Sequence, residues 1–305
     1  MRSYFERLYF NPKGLDWLII LILSPLSIIY GSVIYLKNLA TSQRDFGIKI
    51  ISIGNITVGG SGKTPFAISL INYLQSKRDL NICYISRGYG RQSSGLVNVK
   101  KDNKILADVK ESGDEAMLVA NECNCNVIVS EDRAKAIKIA KKSGANLIIL
   151  DDAFSKKSIK KFDIVLKPKK ILNPLPFPAG GLREFLFEQK KADLILQEDI
   201  DFKREVECLN CSDKMVLVTA ISNPKRLDAF LPEGVVDKLY FDDHAYFDLD
   251  KIMQKLNKHK AQKVLVTQKD YVKMQNFKLQ VALLKLKLQI KNEHLKKIED
   301  YLDAK

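Results

Sequence analysis

The residues best suited to chemistry stand in one short run, Gly54-Asn-Ile-Thr-Val-Gly-Gly-Ser-Gly62-Lys63-Thr64. The run follows a β-rich stretch, 48–54, and opens a stretch of helical spacing, 64–76, where Phe66, Ile68, Leu70, Ile71 and Leu74 are apolar. That is the context of a phosphate-binding loop. Glycines let the backbone curl around phosphate oxygens, so that amides and a helix N-terminus point at the negative charge. Thr57, Val58, Gly59, Gly60, Ser61, Gly62, Lys63 and Thr64 are the candidate nucleotide-binding residues. Lys63 is placed to reach the β- and γ-phosphates of ATP, and Thr64 to hold Mg²⁺. One position departs from G-x-x-x-x-G-K-T: Thr57 stands at the first glycine, and Gly59 and Gly60 supply the flexibility.

A phosphate loop needs an acidic partner at the end of a neighbouring strand. Asp151 and Asp152 follow the apolar run Asn-Leu-Ile-Ile-Leu and are the expected metal partners, with Thr64. Further chemistry-bearing groups lie in short motifs. Arg87-Gly-Tyr-Gly90-Arg91 follows a second strand-like run, and Gly113-Asp114-Glu115-Ala116 opens a helix. Asp132-Arg133 opens another, and a Pro/Gly-rich loop, 173–184, ends in Arg183-Glu184. Phe241-Asp-Asp243-His244 and Thr267-Gln-Lys269-Asp270 follow later strands. Arg87, Arg91, Arg133 and Arg183 are candidates for gripping substrate phosphate or ATP, because a guanidinium presents a fork of donors. A plain ion pair is the competing reading for each. His259 and His294 sit in Lys-rich stretches and are expected to be solvated.

The elements that must position these groups alternate. Strand patterns at 81–86, 126–130, 146–150, 162–166 and 192–196 are separated by helical patterns at 114–122 and 132–142, with a hairpin at 96–109. Continuous apolar strands between helices predict a parallel sheet covered on both faces. A second series begins near Asp213, with strands at 215–219, 236–241, 263–267 and 279–284 and helices at 249–257 and 293–301. The expected architecture is α/β: a P-loop-containing three-layer α/β/α core, 46–200, preceded by an N-terminal apolar membrane helix region, 1–45. A polar linker, 201–213, leads to a smaller C-terminal α/β domain, 214–305, that contributes His244.

Charge and hydropathy restrict the partners. Lys and Arg number 50 and Asp and Glu 36, a formal charge of +14, which predicts an anionic partner. A hydrophobic share of 46% excludes wholesale disorder. The 20 residues of 17–36 carry no charge, and at about 1.5 Å per residue a helix there reaches about 30 Å, the thickness of a bilayer core. Pro25, Gly31 and the serines 24, 27 and 32 make a kinked or re-entrant helix in one leaflet a competitor to a span, and a buried core hairpin a second. Basic residues flank the segment on both sides, which suits an anionic membrane surface. The five cysteines, an odd number in a chain of this length, argue against a disulfide framework. Cys123-x-Cys125 and Cys208-x-x-Cys211 read as buried or idle thiols rather than halves of a zinc site.

Taken in order, the apolar helix, GNITVGGSGKTP and the six shorter motifs resemble the tetraacyldisaccharide 4′-kinase family over 3–270. The resemblance implies transfer of the γ-phosphoryl group of ATP, with Mg²⁺, to the 4′-hydroxyl of an acylated, 1-phosphorylated glucosamine disaccharide. It implies work at the cytoplasmic face of the bacterial inner membrane. It implies Asp114 as the catalytic carboxylate near the sugar hydroxyl, His244 as its partner, and Lys63 and Asp152 as further catalytic groups. Two departures stand out. The family tends to read DDGFQH where this chain has Asp151-Asp152-Ala153-Phe154-Ser155-Lys156, and DHH where it has Asp243-His244-Ala245.

Two other function classes compete. A membrane-associated regulatory P-loop ATPase of the partitioning or division-site type needs a lysine where this chain has Val58. A nucleic-acid-binding module would use the charge, but the lysines are scattered and carry no aromatic-basic signature. No nucleic acid is expected as a partner, and no feature points to a protein partner.

Overall fold

The computed structural model describes residues 2–59, 62–275 and 277–304. By its internal contacts the chain forms two units, one of Met1–Phe66, Ile137–Lys203 and Ile290–Lys305, the other of Ala67–Ala136 and Arg204–Gln289.

The first unit is built on four parallel strands in the order Leu147–Asp151, Lys49–Gly54, Phe162–Lys167, Leu194–Gln197. Lys49 pairs with Leu147 and Ile53 with Asp151, so the acidic strand end is in register with the start of the phosphate loop. All five residues of Leu147–Asp151 are buried, as a strand covered on both faces requires. The C-terminal helix Asn292–Asp303 is tied to this sheet through Tyr301, whose hydroxyl accepts from the Ile50 amide at 3.2 Å and donates to the Ile50 carbonyl at 3.1 Å.

The apolar segment forms one helix, Asp16–Leu39, with Pro25 inside it. It is long and apolar enough to cross a membrane, with a mean hydropathy of 2.2 over its most apolar window. Only Asp16, Ile20, Ser27 and Gly31 are buried, while Leu21, Ile22, Leu26, Ile29, Val33 and Leu36 are exposed. The core-hairpin alternative fails on that exposure. A shorter helix, Arg2–Phe10, precedes it, and the Arg7 guanidinium grips Asp16 at 2.9 and 3.0 Å. On the buried stripe Ser27 Oγ accepts from the Ala179 amide at 2.8 Å, and the Phe185 ring lies against Gly31. The Pro/Gly-rich loop therefore packs on this helix.

The second unit has two sheets. In one, Ile82–Ser86 pairs in parallel with Asn126–Val129, which pairs antiparallel with Val97–Lys101, edged by Lys104–Ile105. The other runs Val235–Tyr240, Met215–Thr219, Lys263–Thr267, Val281–Ile290, Phe202–Leu209, and its first four strands are parallel. Residues 201–213, expected as a linker, thus hold a strand: alternate side chains of Phe202–Leu209 are half-buried, the pattern of a pairing edge. The division by contact also cuts across the division by sequence order. Leu288 N–H donates to Ser69 Oγ at 3.1 Å and Lys285 reaches Glu122 at 3.6 Å, so 67–136 and 204–289 pack as one body. Cys208 and Cys211 are joined to each other, against the expectation of free thiols there, and Cys83, Cys123 and Cys125 are free and buried.

Candidate active site

Two clusters gather the candidate residues, one in each unit. In the first, the strand Lys49–Gly54 ends against Phe154, so closely that a Cβ on Gly54 would lie 2.6 Å from the Phe154 Cβ. The chain then zips onto the Pro/Gly-rich loop. The Arg183 amide donates to the Ile56 carbonyl at 2.8 Å, the Val58 amide to the Gly181 carbonyl at 2.8 Å, and Thr57 bridges Leu182. Gly59 and Gly62 take φ of +96° and +80°, which a side chain would strain. Gly60 and Ser61 lie outside the described residues. The helix Lys63–Lys77 starts at the expected lysine, and Thr64 is buried in its first turn.

Lys63 Nζ donates to the side-chain Oδ1 of Asn55 at 3.3 Å and lies 3.6 Å from Asp152 Oδ1. Arg183 Nη1 donates to both Asp152 oxygens at 2.8 Å. Asp152 sits at φ +48°, its amide donating to the Ile53 carbonyl at 2.9 Å. Burial pushes the Asp152 carboxyl up, but Lys63 and Arg183 outweigh that and hold it below its ordinary value. The site therefore keeps an anionic strand end beside the loop lysine. Asp151 is buried in the strand beside it. A threonine hydroxyl and two carboxylates are the hard oxygen donors that Mg²⁺ accepts. Of the three substituted positions in the DDAFSK run, Ala153 is buried, like the retained Phe154, whereas Ser155 and Lys156 are exposed.

The second cluster surrounds Asp114, the first residue of the helix Asp114–Glu122. Gly113 at φ +79° makes this start possible, since a Cβ there would lie 2.8 Å from the Tyr89 carbonyl oxygen. Asp114 is 4% exposed. His244 Nδ1 lies 2.9 and 3.0 Å from its two oxygens, Lys273 Nζ 3.2 Å from Oδ2 and Lys269 Nζ 3.8 Å from Oδ2. Burial pushes the Asp114 carboxyl up, but the His244 hydrogen bond and the two lysines prevail and hold it well below the carboxylate range. An ionised Asp114 accepts only, so Nδ1 of His244 carries the proton. The Nε2 atom lies 3.5 Å from Lys269 Nζ and 3.7 Å from Asp243 Oδ1.

His244 is held in turn. Its backbone takes φ +64°, its amide donates to the Ala220 carbonyl at 3.0 Å, and the Tyr89 ring packs edge-on at 5.0 Å. Asp270, fully buried, accepts from Thr219 Oγ1 at 2.6 Å, Thr267 Oγ1 at 2.8 Å and the Ala220 amide at 3.1 Å. It thereby fixes the residue on which His244 hangs. A small cleft lined by Tyr89, Gly90, Asp114, His244, Tyr246 and Lys273 opens here.

The structure distributes the candidate arginines unequally. Arg183 is at the phosphate loop; Arg87 is exposed. Arg91 pairs with Glu131, and Arg133 is buried and donates to the Ser130 carbonyl at 2.7 Å. For these last two the ion-pair or structural role is what the fold displays. His259 and His294, expected to be solvated, each face a carboxylate, Asp237 at 2.9 Å and Asp201 at 2.8 Å. Sequence reasoning missed Lys273 altogether and gave Lys269 and Asp270 no role. Their only signal was the Thr-Gln-Lys-Asp motif and a second lysine four residues beyond its first.

A phosphate loop facing an ionised acidic strand end, together with a buried Asp–His pair, defines a P-loop phosphotransferase. The chain belongs to the LpxK family, Tetraacyldisaccharide-1-P 4′-kinase, whose model matches residues 19–215 and 202–304. It is 41% identical over 303 residues, 99% of this chain and 95% of the relative, to a tetraacyldisaccharide 4′-kinase of Helicobacter acinonychis. It is 42% identical over 311 residues to one of Aliarcobacter butzleri, with 99% and 97% covered. A crystal structure of LpxK from Aquifex aeolicus in complex with ATP superposes with a TM-score of 0.77 at 27% identity, covering 93% of this chain and 99% of that one.

Proposed function

We propose that this chain is the ATP-dependent kinase that phosphorylates the 4′-hydroxyl of a tetraacyldisaccharide 1-phosphate in lipid A biosynthesis. The observation that carries the reading is the buried Asp114–His244 pair in a chain that also holds a phosphate loop. A regulatory ATPase needs no such acceptor-side pair, and the relatives share the kinase name.

The loop from Thr57 to Thr64, with Lys63 and the helix N-terminus, binds the phosphates of ATP. Thr64, Asp151 and Asp152 are the residues that would hold Mg²⁺, which would supply charge neutralisation for the transferring group. Lys63 and Arg183 flank Asp152 and keep that end of the site charged and ordered. Asp114 orients the acceptor hydroxyl and takes its proton late. A strongly basic group is not required, because phosphoryl transfer depends chiefly on positioning and charge. His244 fixes the carboxylate through Nδ1. Arg87, the exposed member of the arginine set, is the remaining candidate for substrate phosphate. In this reading 46–200 supply the phosphate loop and 214–305 supply His244. Region 1–45, with the exposed face of Asp16–Leu39 and its basic flanks, seats the enzyme on the anionic cytoplasmic face of the inner membrane.

The test is direct. Purified protein, ATP, Mg²⁺ and the disaccharide 1-phosphate in detergent should yield the bisphosphorylated lipid. Absence of transfer where the Helicobacter relative is active would overturn the assignment.

A further inference from the structure

We propose that Lys273 is a positioning residue of the phosphoryl transfer, its buried ammonium fixing the Asp114 carboxylate and the turn that carries His244 as one unit. The inference rests on the reading of Asp114 as the group that meets the acceptor hydroxyl.

Three observations carry it. The Lys273 side chain is 3% exposed, and its Nζ lies 3.2 Å from Asp114 Oδ2. The same ammonium donates to the Ala245 carbonyl at 3.3 Å, one residue beyond His244. It therefore touches Asp114 and the turn that carries His244, on elements far apart in sequence. Third, Lys273 lies in the wall of the cleft that exposes Asp114 and His244.

A buried ion pair is costly to desolvate, and replacing both of its partners by apolar side chains often serves stability as well or better. The charge at this point therefore calls for a use. Without it, the carboxylate keeps His244 Nδ1 on both oxygens but loses its nearest cation, the one that also holds the Ala245 carbonyl. Lys269 is no substitute. It is farther from Oδ2, at 3.8 Å, and shares its charge with Glu115 at 3.3 Å. The groups facing Asp114 are then His244, Lys273 and Lys269, with Glu115 on its own helix and Asp243, Tyr246 and Tyr89 from the packed turns. Removing Lys273 leaves one shared lysine against the desolvation of a carboxylate that is itself almost fully enclosed.

The experiment compares full-length wild type, Lys273→Met, Lys273→Arg and Asp114→Asn. Two quantities are read: kcat and KM for both substrates, and the titration of the Asp114 carboxyl by carbon-13 NMR in the resting protein. Lys273→Met should lower kcat at least about tenfold with KM for ATP unchanged, the pattern of a contact that matters in the transition state. The Asp114 midpoint should rise, and Lys273→Arg should restore both in large part. A wild-type kcat, or a reduced kcat with an unmoved midpoint, would overturn the proposal, the latter exposing a merely structural lysine. Should Lys273→Met not fold, Lys273→Gln is read by the same two measurements. Turnover retained by Asp114→Asn would instead overturn the reading of Asp114, and with it any part for Lys273 in the reaction, whatever the midpoint does.

Discussion

Arg183 donates one nitrogen to both carboxylate oxygens of Asp152 at 2.8 Å, and Lys63 approaches the same carboxylate at 3.6 Å. The loop lysine, the acidic strand end and the Pro/Gly-rich loop are thereby one ionic knot. Arg183→Ala should leave Asp152 with Lys63 alone and loosen the loop segment 181–183 that is zipped to the phosphate loop. The expected outcome is a rise in KM for ATP with a smaller fall in kcat, read by steady-state kinetics at several Mg²⁺ concentrations.

Lys63→Ala removes the charge that the proposed function assigns to the transferring phosphates. Turnover should fall by a factor of about 10³ or more, as when other charges acting in the transition state are deleted. Thermal stability should change little, because Lys63 is one of two cations on Asp152.

His244→Ala should cost about 10² to 10⁴ in kcat, the range for a group that assists proton transfer. Asp114→Asn should cost at least as much, since it removes the acceptor itself. Single-turnover phosphoryl transfer separates this loss from any defect in binding.

Acid should unfold the wild type partly through Asp114. Its folded value is depressed, so its contribution to stability is present above the unfolded value, about 3.9, and is lost as pH falls through the lower folded one. Asp114→Asn should be less stable than wild type at pH 7, and the gap should close below about pH 4. Urea midpoints measured across this range test the sign. A gap that widens on acidification would contradict it.

Asp270→Ala leaves two threonine hydroxyls and the Ala220 amide without their buried acceptor. At about 1–3 kcal/mol for each orphaned group, with partial relaxation, a loss of roughly 3 kcal/mol is expected. Because the Ala220 carbonyl accepts from the His244 amide, kcat should fall with stability. Denaturation midpoints and kcat measured together decide whether the two move in step.

Removing the first 39 residues should release the protein from vesicles containing anionic lipid, and binding of the intact chain should weaken as salt rises. Co-sedimentation with vesicles of defined composition reads both effects.

Much of this site was legible before any coordinates. The run 54–64 carries its own instructions, because glycine freedom, a following helix and an adjacent lysine are all local in the chain. The apolar stretch 17–36 likewise announces a long apolar helix, although a buried hairpin stayed open until the fold left only four residues of Asp16–Leu39 buried. The pairing of Asp114 with His244 was legible only through the family's motif order, since 130 residues separate them.

Other features depend on groups brought together from distant segments. The strand Phe202–Leu209 was invisible as one because four of its eight residues are charged and its partners come from elsewhere in the chain. Arg183 could equally have faced solvent or substrate; its place on Asp152 follows from the backbone pairing of 181–183 with 56–58. Lys273 looks in sequence like one more lysine in a chain with a charge of +14. The sequence by itself determined the loop, the alternating elements and the apolar helix, because propensity, glycine freedom and hydropathy act over a few residues. The tertiary structure alone decided which charges are buried and against whom, because desolvation and Coulomb energy depend on neighbours in space.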